Sequence, residues 1–343
     1  MPPDTSSWNA AGHDVHKHGA MRRPRWAHAV TQNAGLALAF AMLLGNIIAY
    51  CTIYYVTQQR FPGGFELTST VNNTMPLVLA GIAQTLIVLT RGIDLSVGGV
   101  VDLTNALAAV NLGSNLASMV LWSVLILLVG AGCGLVNGLL VSVGRLQPIL
   151  VTLATLSIFQ GVAIRVLPQP GGQVPPEYTN VLANPMAPVS LVYLVVLVLF
   201  WAAFRRTRLG VGIVAIGNDE QAAESNGIDV RRTKILAYML GGTFSAAAGL
   251  FLAATSTAGD ATTGNSYTLT SIVAVVLGGV SLFGGRGSAS GTVMGALVTT
   301  MIVNILFFAH IDPLYQAFYE GLFLVIAVLL AGGIGRFMRR GAT

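Results

Sequence analysis

Residues 188–206 read PVSLVYLVVLVLFWAAFRR. Up to Phe204 the stretch carries no charge, and apart from Ser190 and the amphipathic rings of Tyr193 and Trp201 it is apolar. Wound as an α-helix at about 1.5 Å per residue it rises roughly 25 Å, close to the ~30 Å hydrocarbon thickness of a bilayer. Arg205 and Arg206 then end it abruptly, as where a span meets the cytoplasmic surface.

Working outward, the same pattern recurs. Apolar runs fall at 33–56, 74–90, 95–112, 119–141, 148–166, 188–204, 234–256, 268–283, 289–310 and 316–333, which predicts an all-α polytopic bundle of about ten spans. The run at 95–112 contains Asp102, Asn105 and several small residues, and reads as a partial or broken helix. Composition agrees: 54% of the 343 residues are hydrophobic and 9% charged, against about 25% charged in a soluble domain. The net charge of +5 sits in short runs between apolar segments, not on a face that wraps a duplex, so nucleic acid is excluded as a partner and the charges read as topology signals. With a cytoplasmic N-terminus, all of the 18 Lys and Arg residues except Arg60 and Arg165 fall on the inner side, which predicts that both termini are cytoplasmic.

The expected organisation is a disordered cytoplasmic tail at 1–32, a membrane domain at 33–335 with a long inner loop at 205–233, and a short cytoplasmic tail at 336–343. No apolar stretch lies near enough to Met1 for a signal peptide. His13, His16 and His18 in the tail read as solvated side chains, not metal ligands, and Cys51 and Cys133, on different spans, read as small core residues and not a disulfide.

Chemistry is sparse. The only lysines, Lys17 and Lys234, stand outside any Gly-rich loop, so there is no phosphate-cradling motif with its lysine, and no metalloprotease or nucleophile-elbow pattern stands out. No catalytic, cofactor-binding or metal-binding residue is expected. Asp102 and Glu320 are the ionisable groups within spans; each either pairs locally or serves a coupled proton. Asn72, Asn73, Gln84, Asn105, Asn137, Gln160 and Asn304 are neutral polar residues in spans. Singly each reads best as helix-to-helix glue; as a set they are candidates for a translocation path, since amides exchange hydrogen bonds with solute hydroxyls.

In the inner loop, Asn218 is placed to cap a short helix over 219–226, with Asp219, Glu220 and Gln221 in the first turn and Gly227 at its end. A capped helix on an inner loop suits contact with another molecule. The outer loop 167–187 (PQPGGQVPPEY within it) predicts a rigid irregular segment, either a plain connection or a docking surface or lid. Small residues recur every four positions at Gly130/Gly134/Gly138, Gly241/Ser245/Gly249 and Gly287/Gly291/Gly295, a spacing that lets helix backbones approach closely in lipid.

Three passages go further: TRGIDLSVGGVVDL at Thr90–Leu103, QPILVTLATLSIFQG at Gln147–Gly161 and VVLGGVSLFGGRGSASGTVMG at Val275–Gly295. In this order and spacing they resemble the ribose-type sugar permeases of the ABC importer superfamily, over about residues 75–335. The resemblance implies a type II-importer-like permease, with two five-span halves of inverted topology expected. It implies a translocation subunit that binds no cofactor itself, ATP and Mg being used by a separate ABC ATPase subunit. Further implied partners are a periplasmic or lipid-tethered sugar-binding protein, a second permease copy and membrane lipid. Gly92, Asp94, Ser96, Gly98, Gly284, Gly285 and Arg286 match the family's inner loops, and Asn218, Asp219, Glu220, Ala222, Ala223 and Gly227 match its ATPase-coupling loop. Asp94 is placed to cap a helix beginning at Leu95. The sequence departs from the family at Arg91, usually glycine, and at Glu224-Ser225-Asn226, usually less polar and more basic. The alternatives are a secondary carrier acting alone through Asp102 or Glu320, and a receptor or scaffold.

Overall fold

The computed structural model describes residues 25–312 and a few positions between 315 and 329, those few being helical. Tail residues His13, His16, His18 and Lys17, the carboxylate Glu320, most of the expected span 316–333 and the tail 336–343 lie outside the described residues. Residues before Ala34 form one unit, described only for the first turns of α1, and the remainder of the chain forms a second unit, which carries everything below.

The helices are α1 (Arg25–Gln58), α2 (Gly64–Val88), α3 (Val97–Asn111), α4 (Leu116–Ser142), α5 (Pro148–Val166), α6 (Pro176–Ala183), α7 (Val189–Phe204), α8 (Arg208–Asn218), α9 (Glu220–Ser225), α10 (Val230–Ser256), α11 (Asn265–Leu277) and α12 (Ala289–Phe308). The fold is an all-α bundle with no strand among the described residues.

Among the described residues, six helices (α1 from Gly35, α2, α4, α5, α10 and α12) are long and apolar enough to cross a membrane, and α7 with α8, bent by 74°, forms a seventh candidate. The count of ten is therefore not confirmed. The expected spans at 95–112 and 268–283 are helices of only 15 and 13 residues, rising roughly 22 and 20 Å. The apolar runs are long enough, but the backbone leaves the helix within them. At 278–288 this happens because Gly279, Gly284, Gly285 and Gly287 all take positive φ. Backbone that leaves a helix must have its polar groups satisfied elsewhere, and here Gly285 N donates to Leu89 O and Ser281 N to Arg286 O.

Helix α2 is the axis. From Val71 to Val88 every residue but Asn73 is buried, against α10, α12, α11 and α7. By contrast α1, α4, α5 and α7 expose large apolar side chains such as Ile48, Leu128, Ile158 and Leu199. Surface this apolar is a liability in water and suits lipid.

Glycine sets the closest approach, between α4 and α10. A Cβ at Gly134 would lie 2.1 Å from the Tyr238 carbonyl oxygen, and one at Gly242 2.1 Å from that of Gly130. Gly291 and Gly295 of α12 press equally on Gly278 and Ala274 of α11. Two expected face members differ. Gly287 precedes α12 and lies in the loop at φ +133, and Gly241 has ordinary contacts no shorter than 3.4 Å.

The outer loop 167–187 is less irregular than its Pro and Gly content predicts. Pro176 starts the eight-residue α6, and Tyr178 and Ala183 of that helix are buried. The segment is fastened down: Gly171 and Gly259 exchange backbone hydrogen bonds, Gln173 N donates to Ala109 O, and Thr179 Oγ1 donates to Ala254 O. It covers the C-terminal ends of α3 and α10.

Candidate functional site

Three loops meet at the end of the bundle opposite that cap. The first is residues 89–96. Leu89 O accepts from Gly285 N at 3.1 Å, joining it to the second loop, 278–288. Arg91 joins it to the third, at the end of α8: Nε donates to Gly217 O at 2.8 Å and Nη2 to Asn218 O at 2.5 Å. Asn218 Nδ2 completes the triangle by donating to Gly285 O at 3.4 Å. Arg91 sits at φ +65, in the left-handed region that costs an L residue about 1 kcal/mol or more. A glycine would hold this conformation without that cost, and for Arg91 the two guanidinium bonds offset it. Gly217 must lack a side chain, since its Cβ would lie 1.8 Å from Leu89 O and 2.4 Å from Gly285 N.

Behind this junction lies a buried polar knot. Asp94 Oδ1 accepts from Ser96 N at 2.8 Å and from Ser96 Oγ at 2.6 Å. This is a turn within the loop, so α3 begins at Val97 and not at Leu95 as expected. Asn137 Nδ2 of α4 donates to Ser96 Oγ at 2.8 Å. Gln84 of α2, its amide oriented to suit its neighbours, pairs with both backbone groups of Asp94. Thr152 Oγ1 of α5 accepts from Leu95 N at 3.0 Å. Three helices thereby supply the hydrogen bonds that a helix would have supplied itself.

The loop 205–233, expected on the inner side, contains two helices where one is expected. Thr207 Oγ1 caps α8 by accepting from Gly210 N. The chain turns extended at Asp219, whose Oδ1 accepts from Ala222 N at 3.0 Å to cap α9. The cap is therefore Asp219, not Asn218; Asn218 ends α8, and its amide is used by Val214 O and Gly285 O. Gly227 ends α9 at φ +80, with Ile228 N donating back to Ala223 O. Ala223 is buried, while Asn218, Asp219, Glu220, Ala222 and Gly227 are exposed. Glu220 Oε2 accepts from Lys234 Nζ at 2.7 Å, bracing α9 on the start of α10. Arg286 is exposed on the same junction, beside Gly284 and Gly285.

Gly98 lies apart from these inner-loop residues. A Cβ there would meet Thr268 Oγ1 at 2.1 Å and Gly264 O at 2.6 Å. Here residues 259–264 run down beside α3. Asp102 Oδ1 accepts from Gly264 N at 2.6 Å, at the N-terminus of α11, and Asn105 Oδ1 accepts from Asp260 N at 2.7 Å. Asp102 thus anchors the start of α11 from inside the bundle; its Oδ2 has no partner among the described residues. The Thr262 hydroxyl and backbone N–H, bonded to Asp260 in the connecting loop, hold that carboxyl below the usual range.

Of the candidate path residues, Gln84, Asn105 and Asn137 are the buried linkers just described. Asn72 is buried too, donating to Ala183 O and accepting from Ser190 Oγ. Asn304 Nδ2 donates to Thr70 Oγ1 at 3.2 Å, linking α12 to α2. Gln160 is half-buried on α5, and Asn73 is exposed. Leu89, Gly217, Thr152 and Tyr238 were not singled out from sequence. Leu89 and Gly217 act through backbone atoms or a missing side chain, and only the Gly217 position beside a helix end hints at it.

Residues 67–330 match the family model described as branched-chain amino acid transport system / permease component. The chain belongs to this family of transport-system permeases. The ribose import permease protein RbsC of Escherichia coli (strain K12) is 31% identical over 305 residues, covering 85% of this chain and 94% of the relative. RbsC of Bacillus subtilis (strain 168) is 36% identical over 300 residues, covering 84% and 92%. The fructose import permease protein FrcC of Rhizobium meliloti is 31% identical over 343 residues, covering 95% and 92%. No solved structure matches the chain. Family membership and the apolar helices make it a multi-pass membrane translocation subunit.

Proposed function

We propose that this chain is the membrane subunit of an ATP-driven importer that carries a monosaccharide of the ribose type inward. The observation that carries the reading is α9: a capped helix exposed on all but Ala223, braced by Glu220–Lys234 and tied through the preceding Asn218 to the loops 89–96 and 278–288. A carrier working alone has no use for such an element. In this reading a separate ABC ATPase receives α9, using ATP and Mg. Closure of the ATPase pair pushes α9, and the Leu89–Gly217–Gly285 junction passes the displacement to α2, α3 and α12 together.

A periplasmic or lipid-tethered binding protein delivers sugar at the outer cap, and a second permease copy completes the pathway. Both termini lie in the cytoplasm, on the basic side. Asn72, Asn73, Gln84, Asn105, Asn137, Gln160 and Asn304 stay candidates for the path. The relatives are named for ribose and fructose and the family for branched-chain amino acids, so cargo class is part of the test.

The test is uptake by proteoliposomes holding the chain, its ATPase and its binding protein, with labelled ribose and leucine compared. Ribose entry that needs internal ATP and ignores a protonophore is expected. Leucine entry instead would overturn the substrate class. Entry by this chain alone, driven by a proton gradient, would overturn the mechanism.

A further inference from the structure

Where α7 ends at Phe204, the chain turns by 74° into α8. The turned helix and the start of α10 enclose an open groove of about 570 Å³. Arg206, Arg208 and Arg232 are exposed at its rim, and Val211, Ile228 and Leu236 line its interior. Val211 is 54% and Leu236 44% exposed, so the apolar floor is uncovered. The acid in the lining is Asp229, already bonded to Arg232 at 3.1 Å and capping α10 through Arg232 N. The rim therefore keeps an excess of positive charge. Its depth is that of the ends of two membrane helices, on the side that holds nearly all the basic residues.

We infer that this groove binds an anionic phospholipid. A basic rim over an apolar floor, at the end of a span, matches a phosphate head group continuous with an acyl chain. The phosphate sits among Arg206, Arg208 and Arg232, and the first methylenes lie along Val211 and Leu236. A free anion would gain nothing from the apolar floor. A zwitterionic lipid would bring its own ammonium among three guanidinium groups. The walls include Gly227 and Ile228, the link from α9 to α10, so the bound lipid also steadies the base of the exposed inner helix.

The test uses the purified full-length chain in neutral detergent and native mass spectrometry, with phosphatidylglycerol and phosphatidylcholine offered in equal amounts. Wild type should retain phosphatidylglycerol in preference. Arg206→Gln with Arg208→Gln should lose that preference by roughly thirtyfold, the scale expected for two arginines at an anionic surface. Arg206→Lys with Arg208→Lys should keep it, as should Arg145→Gln with Arg286→Gln, which removes equal charge elsewhere. Absence of a preference in wild type overturns the inference, whether or not the glutamine variant folds. Displacement of the lipid by inorganic phosphate would mark a soluble-anion site. A glutamine variant that keeps the lipid but loses a copurifying ATPase would mark a protein contact. Either of these results overturns it as well.

Discussion

Gly217→Ala places one methyl group where three loops touch. Its Cβ would stand 1.8 Å from Leu89 O and 2.4 Å from Gly285 N, both backbone atoms that no rotamer change can move. Reaching even a 3.0 Å contact means opening the junction by roughly 1.2 Å. That displacement breaks the 3.1 Å bond from Gly285 N to Leu89 O and strains the Arg91 bond to Gly217 O. Overpacking costs typically about 1–3 kcal/mol and a lost hydrogen bond about 1, so the joined geometry is disfavoured by about 2–4 kcal/mol. A 2 kcal/mol bias reduces the joined population by about thirtyfold. The assay is sugar uptake per ATP hydrolysed in the reconstituted complex, with Gly212→Ala as control. The control's Cβ meets only side-chain atoms of Thr233 and Ile228, at 3.3–3.5 Å, and no backbone. Uptake should fall at least tenfold in Gly217→Ala and stay near wild type in Gly212→Ala, with both chains inserted and monodisperse. Wild-type coupling in Gly217→Ala would refute the argument that this junction transmits the movement of α9.

The remaining predictions concern other contacts. Gly134→Ala should lower thermal stability in detergent by about 1–3 kcal/mol, because its Cβ meets Tyr238 O at 2.1 Å, whereas Gly132→Ala, with nothing within 4 Å, should not; equal stability of the two would contradict the α4–α10 packing. Arg91→Gly loses two hydrogen bonds, while Arg91→Ala loses them and keeps the positive φ; alanine should therefore melt below glycine by about 1 kcal/mol, and the reverse order would remove the strain argument. Asp102→Asn keeps the acceptor for Gly264 N, so uptake should remain ATP-driven and insensitive to protonophore, whereas Asp102→Leu should impair it; loss of uptake in the asparagine variant would favour a proton-coupled role. Glu220→Arg places a cation beside Lys234 and should reduce ATPase copurification without affecting insertion; unchanged copurification would count against α9 as the docking element.

Much of the membrane architecture is legible in one dimension because burial in lipid demands long uncharged runs. Helices α4, α5, α10 and α12 fall close to the expected spans for that reason. The short inner helix was legible from local chemistry, an acid at its start and Gly227 at its end. Its cap was displaced by one residue because Asn218 and Asp219 both suit the role, and the choice depends on Gly285, which is distant in sequence. Asp94 illustrates the same limit: local spacing favours a cap, but Gln84, Asn137 and Thr152 from three other helices hold an extended turn instead.

By itself the sequence determined a polytopic helical membrane protein, most of its close-packing glycines and its permease family, since each depends on composition or short-range order. Only the tertiary structure decided that α3 and α11 stop short of full spans, that Asp102 anchors the start of α11, and that Leu89, Gly217 and Gly285 form one junction. Those features depend on backbone atoms satisfied across long sequence separations, and a backbone carbonyl leaves no mark in the order of side chains.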